Sequence, residues 1–204
     1  MKWKEDYQKK LVTLEQAAEI IKPGDSITTP PAASAAVDII NAISKRLPEL
    51  GKVTFNTGML MYLFEFINSK YADHYEYNSL FHGPLERMLS KQKHVNPVPA
   101  SFSAADYVVS SITKSNVALF NVSEPDESGY MSLGPIGSFE SQSMIENADT
   151  IIIQVNKHNP YIYGLNAHIH VSQVDYIVEQ DHPLPELPAT SAAELPENYH
   201  KIAS

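Results

Sequence analysis

Val117-Ala118-Leu119-Phe120-Asn121-Val122 and Ile151-Ile152-Ile153-Gln154-Val155 are short apolar runs, each interrupted by a single amide side chain. They are too short for amphipathic helices and lack the alternation of a strand with one wet face, which predicts strands covered on both faces in a parallel sheet. Parallel strands need crossover connections, and helices usually supply them. The rest of the chain should therefore alternate strand-like and helix-like patterns.

Working outward from the two runs, it does. Upstream, Thr13-Leu14-Glu15-Gln16 fits a capping box, and Pro23-Gly24 stops the helix that it opens. Before the box, Trp3, Tyr7 and Leu11 recur on a helical period. Strands are expected at Asp25–Thr29, Val53–Thr57 and Tyr75–Phe81, and helices at Ser34–Leu47, Met59–Ser69, Leu85–Gln92 and Ser103–Ile112. Asn96–Ala100 reads as extended because its two prolines disfavour helix in the residues before them. Between the two runs lie a turn at Glu124–Gly129, a short strand at Tyr130–Leu133 and a helix at Ser138–Asn147. Val174–Val178 is the last strand. Beyond Asp181, Pro183, Pro185, Pro188 and Pro196 mark an extended arm or linker. The expected fold is α/β, a mostly parallel sheet flanked by helices. Ligands of such sheets sit beyond the carboxyl ends of the strands, here the loops after Thr29, Thr57, Phe81, Val122 and Val155.

Composition narrows the chemistry. The 204 residues include no Cys, which excludes a disulfide framework, thiolate-held zinc or iron-sulfur, and a thiol nucleophile. Fifteen Lys plus Arg against 24 Asp plus Glu give a net charge of -9, the wrong sign for neutralising phosphates, so nucleic acid is not an expected partner. No stretch approaches the roughly 20 apolar residues of a membrane span, and the charged opening residues do not form a signal sequence, so a cytoplasmic protein is expected. No Gly-x-Gly occurs, so the dinucleotide fingerprint is missing.

Several local patterns suggest chemistry, and each has a plainer account. Gly129 and Gly134 have the spacing of a phosphate loop, but Pro135-Ile136 stand where Lys and Ser or Thr would be needed, so a tight turn is the better reading. His168 and His170 would share one face of a strand, yet no third metal ligand accompanies them. They are expected to be hydrogen-bonded loop groups near Ser172. Asp126 should accept from backbone amides in its own turn, with Glu127 solvated at the tip. Glu86 and Arg87 are helix neighbours that do not face each other, and Arg87 should project near the loop that begins at Phe81. Tyr161 and Tyr163 read as packing residues with polar tips. No Gly-x-Ser-x-Gly elbow is present, so a stand-alone serine hydrolase is not visible.

Several ordered strings resemble one family. Trp3 with Tyr7, Leu14-Glu15-Gln16-Ala17-Ala18, Ile21-Lys22-Pro23-Gly24-Asp25, Asn78-Ser79-Leu80-Phe81-His82-Gly83 with Arg87, and Pro125-Asp126-Glu127-Ser128-Gly129-Tyr130-Met131-Ser132-Leu133-Gly134 are similar to the first half of the acetyl-CoA hydrolase/transferase family, which includes 4-hydroxybutyrate CoA-transferases. Val155-Asn156 through Pro160, Ile169-His170-Val171-Ser172 and Pro183-Leu184-Pro185-Glu186-Leu187 continue the likeness.

The resemblance implies a class I CoA-transferase fold in which 1–182 form the N-terminal domain and 183–204 a linker toward a C-terminal domain. It implies transfer of CoA between an acyl-CoA, such as acetyl-CoA, and a small carboxylate, such as 4-hydroxybutyrate, through a glutamyl-CoA intermediate. The glutamate belongs to the second half and has no counterpart here. A CoA thioester would be a substrate and no resident cofactor or metal is implied. The partners would be the second half and further copies of the chain. Asn56, Gly58, Met59, Phe81, His82, Gly83, Arg87, Ser132, Gly134 and Asn156 are the expected substrate-facing residues, with no catalytic residue assigned. Pro84-Leu85 stand where some family members carry Gly-Asn. Acyl-CoA hydrolysis, and a non-catalytic carboxylate-binding or assembly module, are the alternatives.

Overall fold

The computed structural model describes residues 2–91, 94–139, 141–186 and 196–203. In chain order the elements are α1 (Lys2–Lys10), α2 (Leu14–Ile20), β1 (Ser26–Thr28), α3 (Val37–Leu50), β2 (Val53–Thr57), β3 (Tyr75–Ser79), α4 (Pro84–Lys91), β4 (Asn96–Pro97), α5 (Ala105–Tyr107), β5 (Val117–Val122), β6 (Tyr130–Ser132), α6 (Ser141–Asn147), β7 (Thr150–Val155), β8 (His168–His170), β9 (Tyr176–Glu179) and α7 (Glu197–Ala203).

The two apolar runs lie side by side as β5 and β7, paired in parallel from Val117 with Thr150 to Val122 with Val155. They belong to a seven-stranded sheet in the order β4-β3-β2-β1-β5-β7-β9, parallel throughout. β6 and β8 form a separate antiparallel pair. Alternate side chains serve two cores, as the two-residue period of a strand requires. Val117, Leu119 and Ile152 pack with α2, α3 and β2 on one face. Ala118, Phe120, Val122, Ile151, Ile153 and Val155 pack with Tyr7, Met144 and the β6-β8 pair on the other.

α2 starts at the capping box: Gln16 N donates to Thr13 Oγ1 and Thr13 N donates to Gln16 Oε1. α3 carries Ile39, Ile40, Ile43 and Leu47 inward and ends at Gly51, whose φ of 72° suits only glycine comfortably.

Two expected helices are corrected. Met59–Ser69 is an irregular segment with 3-10 turns at Glu65–Ile67 and Ser69–His74. Its Met59 amide goes to Phe81 O, its Leu60 amide to Glu86 and its Glu65 amide to Asn41 Oδ1, so the helical ladder has lost its donors to other elements. Phe64 and Phe66 are both buried and stacked at 5.6 Å, an alternation rather than a helical stripe. Ser103–Ile112 is a composite of a 3-10 turn at Phe102–Ala104, α5, and a π-helix at Val108–Thr113 closed by left-handed Lys114. α6 begins at Ser141 rather than Ser138, because turns at 135–138 precede it. The histidine pair is in strand β8 rather than a loop, with the expected contact from His170 Nδ1 to Ser172 Oγ at 2.8 Å. Of the proposed arm, 183–186 have no regular structure, 197–203 are helical, and 187–195 with Ser204 lie outside the described residues.

Candidate substrate site

The strand order reverses at β1: later strands are added through β2, β3 and β4 on one side and through β5, β7 and β9 on the other. In open α/β sheets a crevice forms at the carboxyl ends beside such a switch point. Here it is a cavity of about 270 Å³ between the loops after β1, β2 and β3, walled by Pro31, Thr57, Gly58, Met59, Leu80 and Phe81, and also by Phe102, Ala105, Ile136 and Phe139.

The floor is built from loops that clasp each other. Leu80 N donates to Thr57 O at 3.0 Å, and Met59 N donates to Phe81 O at 2.8 Å. A side chain at Gly58 would put its Cβ 2.7 Å from the Phe81 nitrogen, so only glycine allows this approach. Met59 and Ala32, at φ 49° and 54°, are non-glycine residues in the left-handed region next to this cavity. Such conformations cost about 1–2 kcal/mol each and re-aim the chain sharply at the strand ends.

Beneath the wall is a fully buried carboxylate. Glu86, on the first turn of α4, is 0% exposed. Its Oε1 accepts from Leu60 N at 2.6 Å and from Tyr77 OH at 3.1 Å, while Oε2 is buried without a partner. Burial, then the Glu86 charge, pushes the Tyr77 phenol well above its ordinary range. Gly83 lies against Glu86 Oε2 and the Met59 backbone. Arg87 Nη1 donates to His82 O at 2.9 Å, and His82 Nε2 is buried without a partner. Glu86 thus ties the loop after β2 to α4, and Arg87 fastens the loop after β3.

The structure brings together Gly58, Met59 and Phe81 on the cavity, with His82 and Gly83 in the adjoining loop and Arg87 on α4. The other expected residues sit elsewhere. Asn56 Nδ2 donates to Ser26 Oγ and Ser115 Oγ, and its Oδ1 accepts from Asn78, which in turn accepts from Asn96. These amides form a ladder across neighbouring strands, following the register Thr28, Asn56, Asn78, Asn96. Ser132 Oγ accepts from Gly134 N and Ile162 N, and Gly134 is packed against Asn159. Asn156 Oδ1 accepts from His158 N and His182 N, and its Nδ2 donates to His182 O at 2.7 Å. His182 Nδ1 reaches Asp38 at 3.1 Å, and its ring meets Tyr62 edge-on. Burial, with the Asp38 charge adding to it, pushes the Tyr62 phenol up to about 12.

Sequence reading did not single out Glu86 as a buried group, nor Ile136, Phe102 and Phe139 as wall residues. Phe102 and Phe139 stack at 4.3 Å across a long sequence separation that no local pattern reveals. The cavity-lining side chains include no charged group. Among the described residues, no group of three or more His, Asp or Glu is placed to hold a metal ion. The cavity can seat an apolar group but supplies no nucleophile with a base.

Residues 1–188 match the acetyl-CoA hydrolase/transferase N-terminal domain. The chain belongs to that family. Its relatives include the butyryl-CoA:acetate CoA-transferase of Anaerostipes caccae, 36% identical over 90% of this chain and 42% of that protein. They also include the 4-hydroxybutyrate coenzyme A transferase of Clostridium kluyveri, 34% identical over 92% of this chain and 43% of that protein. The chain therefore spans less than half the length of these two acetyl-CoA hydrolase/transferase relatives. Among solved structures, RipA from Yersinia pestis superposes with a TM-score of 0.84 at 28% identity, over 94% of this chain and 47% of that one. The 4-hydroxybutyrate CoA-transferase of Porphyromonas gingivalis, at 24% identity and a TM-score of 0.68, shares the fold.

Proposed function

We propose that 1–182 form the N-terminal domain of a CoA-transferase, that 183–204 lead toward a second domain, and that the two together move CoA between an acyl-CoA and a small monocarboxylate. The observation that carries this reading is an uncharged cavity at the carboxyl ends of β1, β2 and β3 that seats an apolar group, within a family match extending across the domain. In this reading Gly58, Met59 and Phe81 form the acyl wall, and His82, Gly83 and Arg87 hold it. Asn56, Ser132, Gly134 and Asn156 support it from further away. A glutamate of the second domain attacks the thioester carbonyl and expels CoA as thiolate, forming an acyl-glutamyl anhydride. CoA then attacks the glutamyl carbonyl, releases the first carboxylate and leaves a glutamyl thioester for the second acid. The CoA thioester is a substrate, the setting is the cytoplasm, and the assembled enzyme is a homo-oligomer.

The test is reconstitution. The 204-residue chain alone should give no turnover of acetyl-CoA with butyrate, and addition of a glutamate-bearing second domain should give butyryl-CoA. Turnover by the chain alone would sink the proposal. Acceptor-independent CoA release from the mixture would replace it with hydrolysis. Carboxylate binding without turnover in the mixture would replace it with a non-catalytic module.

A further inference from the structure

We propose that the cavity between the loops after β1, β2 and β3 seats an unsubstituted acyl chain of about four to six carbons, open or ring-closed, in preference to acetyl, hydroxylated or dicarboxylic acyl groups. This rests on the reading of the chain as the N-terminal domain of a CoA-transferase and names the substrate class of that site.

Size is the first argument. A cavity of roughly 150 Å³ holds a benzene ring, so this one of about 270 Å³, partly open beside the exposed Phe81 and Phe102, has room for a six-carbon chain or ring. An acetyl methyl would leave most of it empty and forgo the dispersion contacts of its lining.

Chemistry is the second. No charged side chain lines the cavity. Two hydroxyl residues do, Ser101 and Thr57, and Ser101 is exposed. Thr57 Oγ1 is sealed from water although the cavity admits water-sized groups, so Thr57 turns carbon rather than its hydroxyl to the space. A terminal hydroxyl carried inward would lose its hydration and find no side-chain partner on the floor, and a second carboxylate would fare worse.

Rigidity is the third. The Met59 wall is pinned from below by Glu86 through Leu60 N, and the Phe81 wall by the clasp with Gly58. The stacked Phe102 and Phe139 rings complete the lining, with Phe102 itself largely exposed. The backbone of the loops after β2 and β3 is therefore held in place before a chain enters, and this fixed floor favours length discrimination.

Binding of sodium acetate, butyrate, hexanoate, cyclohexanecarboxylate, 4-hydroxybutyrate and succinate to the 204-residue chain would be followed by methyl NMR of Met59 and by calorimetry. Affinity should rise about fourfold per added methylene from butyrate to hexanoate, the increment expected for burying one CH₂. 4-Hydroxybutyrate should bind roughly tenfold or more weakly than butyrate, as a desolvated, unpaired hydroxyl demands. Succinate should be weaker still. Ala105→Leu, which adds bulk to the cavity lining, should remove the hexanoate advantage while the chain keeps its melting temperature. Phe139→Ala, which cuts back the same lining, should extend the preference to longer acids. A flat length series, a preference for 4-hydroxybutyrate or succinate, no binding in the series, or binding without a shift at Met59 would each overturn the assignment. Reconstituted transfer of CoA with a flat length series would sink the acyl-chain inference and leave the transferase reading standing. Hexanoate binding at Met59 without transfer in the mixture would sink the transferase reading instead.

Discussion

Glu86 shows what a single side chain can hold in place. Its buried Oε1 takes the Leu60 amide and the Tyr77 hydroxyl, two donors from separate parts of the chain. Truncation by Glu86→Ala should orphan both and leave a void, lowering stability by about 3 kcal/mol in urea unfolding. Glu86→Gln keeps the volume and an acceptor and should lose about 1 kcal/mol. Equal stability of Glu86→Ala and the parent chain would contradict the role given to this carboxylate. The residue was opaque in the sequence because its neighbours along the helix say nothing about partners in β3 and the loop after β2. Gly58, Met59 and Phe81 were legible for a different reason: they follow the carboxyl ends of strands, and topology alone puts such positions beside a cavity.

At the scale of elements, the turn joining β5 to β6 depends on Asp126. Desolvation raises its carboxyl, but amide hydrogens of Tyr130 and Ser128 and the Tyr161 hydroxyl outweigh it and hold the group below the usual range. A depressed folded-state value means that the stabilising contribution is complete above the unfolded value of about 3.9 and disappears as pH falls through the lower folded value. Melting curves of the parent and Asp126→Asn should therefore differ most at neutral pH and converge as pH falls through the depressed folded-state value. A gap that stays constant with pH would rule this out. β5 and β7 could be read from their unbroken apolar runs, since burial on both faces leaves that signature. The segment after Met59 could not, because its apolar residues happen to fall near helical spacing while Phe64 and Phe66 alternate in an aromatic cluster with Phe55. The amide ladder of Asn56, Asn78 and Asn96 was hidden too, since its register becomes visible only when β2, β3 and β4 are aligned.

For the whole molecule, the sheet separates two cores, and the chain leaving β9 is fastened back across the carboxyl ends. Gln180 N donates to Val155 O, Asn156 bonds both backbone groups of His182, and the His182 ring meets Asp38 at the start of α3. His182→Ala should raise amide exchange at 180–182 by about five- to thirtyfold, as loss of about 1–2 kcal/mol of local anchoring implies, with little change in global melting. Unchanged exchange there would show that the ring does not anchor the segment. The sequence indicated a proline-rich exit near this point but not the knot that ties it down, because Asp38, Asn156 and His182 lie far apart along the chain. α3 follows directly on the loop holding Ala32 and the cavity residue Pro31, and Tyr62 touches both Ala33 and the His182 ring. The exit of the chain from β9 and the rim of the pocket are thus moored to one shared post, the start of α3 with Tyr62 beside it, so that neither can shift without the other's anchorage shifting too.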